Sequence, residues 1–121
     1  MSFFVYILKL TDGCYYVGRT GFSNLQSRIY AHKNKNGSAW TSLHHVVSVL
    51  CAYETDDVFK EDCETKRLML KYGIHKVRGG AYSTIHLPDF QLRALEYELR
   101  SCSQLCYRCG SNTHFVSNCP N

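Results

Sequence analysis

Tyr6, Tyr16, Arg28 and His32 are the residues of this sequence best suited to chemistry. Phenols and an imidazole move protons, and a guanidinium holds phosphate oxygens in its fork of donors. Together they are equipment for attacking a phosphodiester. Each taken singly has a plainer reading, as a core tyrosine or a solvated arginine or histidine. The set gains meaning from its spacing: Arg28 and His32 stand four apart and so share one helix face.

Local rules supply the elements that position them. Phe3 to Leu10 is rich in aromatic and β-branched residues, as strands are. Thr11-Asp12-Gly13 signals a turn and Cys14 to Gly18 is again strand-like, so a β-hairpin carries Tyr6 and Tyr16 on its two arms. Ser23 then caps a helix over about Asn24 to Lys33, with Gln26 completing a capping box. Leu25, Arg28, Ile29 and His32 lie toward the hairpin. In the connection from Asn34 to Leu43, Trp40 has two equal readings, stacking on nucleic acid or plugging the core. His44 to Tyr53 is a continuous apolar run that suits a central strand covered on both faces. Asp56 or Asp57 caps a second helix reaching about Tyr72, with Gly73 as its stop. In Val77-Arg78-Gly79-Gly80, adjacent glycines let amides approach a phosphate, and Arg78 adds a charge-assisted contact; the plainer reading is a turn. Leu87-Pro88-Asp89 opens a third helix with an apolar side at Phe90, Leu92, Leu95 and Leu99.

Composition narrows the class. A chain of 121 residues allows one modest domain plus an appendage. No apolar run approaches a membrane span, and Phe3 to Leu10 is too short for a secretory signal and lacks a basic lead. The seven cysteines are an odd count, which fits a reducing intracellular compartment, cytoplasm or nucleus, better than a secreted disulfide scaffold. Net charge is only +4, but its distribution is uneven. Arg19, Arg28, Lys33 and Lys35 occupy a stretch without acids, whereas Glu54, Asp56, Asp57, Glu61, Asp62 and Glu64 crowd the next helix start. A basic surface beside an acidic cluster suits a phosphate channel next to a metal ligand. For most of these acids the plainer reading is complementation of the helix dipole.

Phe4-Val5-Tyr6, Tyr16-Val17-Gly18 and Arg28-Ile29-Tyr30-Ala31-His32 resemble the motifs of the GIY-YIG nuclease family, with Phe-Val in place of the leading Gly-Ile. The resemblance spans residues 3 to about 80. It implies an α/β fold, a central antiparallel three-stranded sheet flanked by helices. It also implies hydrolysis of DNA with one divalent metal, Mg²⁺ or Mn²⁺, held by a helical glutamate. By the same resemblance Tyr16, in preference to Tyr6, takes the proton of the attacking water, and Arg28 stabilises charge on the phosphate. His32 orients a tyrosine or protonates the leaving oxygen. Glu64 is the first choice for the metal, then Glu61, then Asp62. Tyr72-Gly73-Ile74 followed by Val77-Arg78-Gly79-Gly80 resembles the same region of small proteins of this family from large DNA viruses.

The tail carries a separate signal. Cys106, Cys109, His114 and Cys119 have the spacing C-x2-C-x4-H-x4-C, four ligands that satisfy tetrahedral Zn²⁺. The pattern resembles a retroviral-type zinc knuckle, with Thr113 where a glycine often precedes the histidine. Tyr107 and Phe115 are placed to stack on bases and Arg108 to meet a phosphate; the plainer reading is a structural clip. The organisation expected is a nuclease domain at 1–85, a linking or packing helix at 86–103 and the knuckle at 104–121. The nucleic-acid surface expected comprises Arg19, Lys33, Lys35, Trp40, Arg78, Tyr107, Arg108 and Phe115. The function expected is a metal-dependent endonuclease acting on nucleic acid, DNA rather than RNA, with no membrane partner. The rival is a non-catalytic nucleic-acid-binding protein built on a degenerate domain of the same type.

Overall fold

The computed structural model describes residues 2–102. By internal contacts the chain divides between His86 and Leu87 into two units, each taken by itself below.

The first unit is built on a hairpin. Strand β1 (Phe3–Leu10) pairs antiparallel with β2 (Tyr15–Thr20), with Tyr6 opposite Gly18 and Leu8 opposite Tyr16. Asp12 and Gly13 both sit at positive φ, the pair a tight hairpin turn prefers. Side chains alternate across a strand, so β1 buries two sets. Tyr6, Leu8 and Leu10 face one side with Cys14 and Trp40; Val5 and Ile7 face the other with Val17 and Leu68. Helices α1 (Leu25–Lys33) and α2 (Ala39–Leu43) contribute Leu25, Ile29 and Trp40 to the first side. Helix α3 (Lys60–Tyr72) contributes Leu68 to the second.

The sheet differs from the three antiparallel strands expected. It has four strands in the order β3-β1-β2-β4, and β4 (Val77–Gly79) runs parallel to β2, making the sheet mixed. Three residues are too few to show a periodicity, so β4 reads as part of a turn until α3 carries it back to the sheet. Strand β3 (Val46–Thr55) is an edge and not a covered centre, and Val47, Val49 and Leu50 are exposed. The centre is β1, whose own run of apolar residues is the buried one.

Two caps also differ. Helix α1 is entered through a 3₁₀ turn at Phe22–Asn24, and its N-cap Asn24 makes no side-chain cap bond, so the Ser23–Gln26 box is not used. The capping box forms instead at α2, where Ser38 and Thr41 exchange side-chain and backbone bonds.

Arg78 and Trp40, expected on a nucleic-acid surface, are core residues. Arg78 is 2% exposed. Its Nε donates to the Thr84 carbonyl at 2.7 Å, Nη1 to the Ile74 and Val77 carbonyls at 2.7 Å each, and Nη2 to the Ile85 carbonyl at 3.0 Å. The guanidinium lies 4.8 Å from the Trp40 ring, whose Nε1 donates to the Tyr15 carbonyl at 3.0 Å. A phosphate would have to compete with four carbonyls in the interior. Arg78→Met should therefore lower stability by about 3 kcal/mol or more, because buried acceptors lose charge-assisted donors. Urea unfolding reads this loss, and nucleic-acid affinity of the folded fraction should not change.

The second unit contains α4 (Asp89–Cys102), entered after Pro88, with Leu92, Leu95 and Leu99 on one side. No helix among the described residues is long and apolar enough to cross a membrane.

Candidate active site

Pairing register explains how the two tyrosines meet. Tyr6 and Tyr16 lie on the same face of the hairpin, with ring centroids 6.5 Å apart. Gly18 stands opposite Tyr6, and a Cβ there would fall inside the phenol ring. The glycine two residues after Tyr16 thus makes room for the other tyrosine. His32, in the last turn of α1, is wholly buried against both rings, at 5.7 Å from Tyr6 and 4.8 Å from Tyr16. Gly37 has the same use as Gly18, since a Cβ there would strike the His32 imidazole.

A chain of hydrogen bonds links these groups. The Tyr6 hydroxyl lies 2.8 Å from His32 Nε2, and His32 Nδ1 lies 2.9 Å from Thr41 Oγ1. Thr41 Oγ1 lies 3.0 Å from Ser38 Oγ. Arg28 sets its charge against both phenols. Ser38 and Thr41 were not anticipated as site residues. The signal for them was the Ser-x-x-Thr spacing before Leu43, the capping pattern assigned instead to Ser23.

The electrostatics keep the buried groups neutral. Burial, then the neighbouring Tyr16, pushes the Tyr6 phenol up to about 12, against the Arg28 bond and charge. Burial, then Glu61, raises Tyr16, opposed by Arg28 and the Ser38 hydrogen bond. Burial, then the Arg28 charge, holds His32 down at about 4. Between about pH 6.5 and 4 the unfolded chain binds a proton at His32 that the folded chain refuses. Stability should therefore fall as pH drops through that window, by up to about 3 kcal/mol. Urea midpoints from pH 7 to 4 should show this slope in the parent and lose it in His32→Gln.

The acids of α3 separate in space. Glu61 acts on both tyrosines. Its carboxyl is raised by burial, lowered by Arg19, raised by Asp62 and lowered by a bond from the Gly80 amide. Glu64 turns the other way. Its Oε1 is 3.1 Å from Arg67 and 3.6 Å from Lys60, and its charge is the second cause, after burial, that pushes Tyr53 up to about 12. Asp62 takes the Ala81 amide at 3.0 Å. The first choice, Glu64, is thus drawn into a cation pair away from the phenols, and Glu61 faces them. The Gly80 and Ala81 amides, which might have met a phosphate, are spent on Glu61 and Asp62.

The basic residues divide as well. Arg19 stacks over the Phe3 ring at 4.4 Å and stands beside Glu61; Lys33, the last residue of α1, and Lys35, two residues further, are exposed. Cys106, Tyr107, Arg108, Cys109, His114, Phe115 and Cys119 lie outside the described residues. Among the described residues no group of three or more His, Cys, Asp or Glu could hold a metal. A magnesium ion does not require one, since it binds through one or two carboxylates and leaves the rest to water and phosphate. The half-buried Glu61 beside two phenols and an arginine fits that mode.

Comparison with curated proteins and with solved structures gives no match. A family model described as the GIY-YIG catalytic domain matches residues 2–72, which contain Tyr6, Tyr16, Arg28, His32 and Glu61.

Proposed function

This chain belongs to the GIY-YIG family of nuclease domains, and from that premise we propose that it is a divalent-metal-dependent endonuclease acting on DNA, with Tyr16, Arg28 and Glu61 as its working groups. The observation that carries the reading is convergence: Arg28 and Glu61, of opposite charge and from different helices, both act on the same two phenols.

Tyr16 accepts the proton of the attacking water. It is half-buried and so partly open to solvent, whereas Tyr6 is sealed in the core. Arg28 sets its donors against the charge that builds on the phosphate. His32 orients Tyr6 and does not serve as an acid, since an imidazole held down at about 4 is uncharged at neutral pH. Glu61 holds the Mg²⁺ or Mn²⁺, with Glu64 outside the site. When bound, the ion supplies neutralising charge to the phosphate and its departing oxygen. Arg19, Lys33 and Lys35 contact the backbone of the substrate. The Cys106, Cys109, His114, Cys119 run binds Zn²⁺ and adds affinity for exposed bases through Tyr107, Phe115 and Arg108. The protein works in a reducing intracellular compartment.

The test is nicking of supercoiled plasmid with Mg²⁺, with and without chelator, followed by a panel of single-stranded, duplex, flap and junction substrates in DNA and RNA. Metal-dependent cleavage of DNA is expected. Tight binding with no cleavage of any substrate would leave a non-catalytic binding module.

A further inference from the structure

The hydrogen bonds around His32 fit together in only one direction. Tyr6 is 0% exposed, so no solvent takes its proton, and the acceptor in reach is His32 Nε2 at 2.8 Å. A neutral imidazole that accepts at Nε2 must donate at Nδ1, and the group there is Thr41 Oγ1 at 2.9 Å. Thr41 Oγ1 also receives the Ser38 amide at 3.2 Å. Both lone pairs are then used, and its own proton goes to Ser38, whose Oγ is nearer at 3.0 Å than its carbonyl at 3.3 Å. Ser38 Oγ already receives the Thr41 amide at 3.1 Å. Its acceptor sites are filled in turn, and the chain ends there.

Resting on the nuclease reading above, we infer that Ser38 and Thr41, the capping box of α2, are positioning residues: they end a one-way chain of donors, Tyr6 to His32 to Thr41 to Ser38, that fixes the imidazole packed against the Tyr16 ring. The chain gives each tyrosine a separate task. Tyr6 spends its proton inside the protein and fixes the tautomer of His32. Tyr16, whose ring centroid lies 4.8 Å from that of His32, rests against the fixed imidazole and keeps its own proton. The cap of a five-residue helix thereby sets the imidazole on which both tyrosines lie.

Two measurements test this. The first needs no variant: the ¹⁵N resonances of His32 should show the Nδ1–H tautomer, and an Nε2–H tautomer would overturn the chain. The second compares Thr41→Val, which keeps the shape and removes the hydroxyl, with Thr41→Ser, which restores it. Thr41→Val should lower kcat on the order of 10²-fold, the scale of a positioned proton-transfer group. KM should hold, and His32 should become a mixture of tautomers. Thr41→Ser should return both readouts toward the parent. A folded Thr41→Val protein that cuts at the parental rate would overturn the inference. A parent that cuts no substrate while His32 remains Nδ1–H would remove the nuclease reading and leave the chain standing.

Discussion

An Arg28→Ala protein should keep its fold and lose cleavage by roughly 10²–10³-fold or more, the scale of one donor facing developing charge. Two losses combine at this position. The phosphate loses its guanidinium, and the two phenols lose the positive charge beside them. Arg28→Lys should recover little, because a point charge on a flexible stem does not reproduce a planar fork. A second readout follows from the same contact. The Arg28 charge helps to hold His32 low, so in the alanine variant the imidazole should titrate closer to its ordinary value. Single-turnover nicking and NMR titration of His32 check the two effects. Near-normal turnover by a folded Arg28→Ala protein would remove Arg28 from the site.

Glu61→Gln should abolish Mg²⁺-dependent cleavage while nucleic acid still binds, because only the metal's carboxylate is neutralised. Binding of Mn²⁺ followed by paramagnetic resonance should weaken in parallel, which reports on the site without reference to turnover. Glu64→Gln should cut normally. Its partners Lys60 and Arg67 are partly exposed, so breaking those pairs should cost less than about 1 kcal/mol. The reverse pattern, with Glu64→Gln inactive and Glu61→Gln active, would return the metal to Glu64.

The hairpin and α1 were legible in the sequence because their signals are local. An aromatic run, an Asp-Gly turn and a four-residue spacing need no knowledge of the rest of the chain. The same holds for the family motifs at Tyr6, Tyr16, Arg28 and His32. What escaped was decided at a distance. Glu61 and Glu64 are three apart on α3, close enough in angle to share a face on paper. Docking of the helix sends one toward the phenols and the other toward Tyr53. Arg78 looked like a phosphate ligand because a charged side chain is seldom buried. Its four carbonyls come from the Ile74–Val77 turn and the Thr84–Ile85 strap, which only the folded chain brings together. Strand β3 was placed at the centre on its apolar run, a property that an edge strand also has.

On the nuclease reading, the parallel pairing of β4 with β2 bears on when the protein could begin to cut. Tyr6, Tyr16, Arg28, His32 and Thr41 all fall within one short stretch of chain, joined by a hairpin and two helices. Such contacts close cheaply and early as a polypeptide leaves the ribosome. Glu61 takes its place only once α3 has docked and residues 77–79 have returned to Tyr15–Val17, a closure over some sixty residues that is slow by comparison. On the nuclease reading, a nascent or half-folded chain would carry Tyr6, Tyr16, Arg28 and His32 without Glu61. On this order of assembly the power to cut is the last property the molecule acquires.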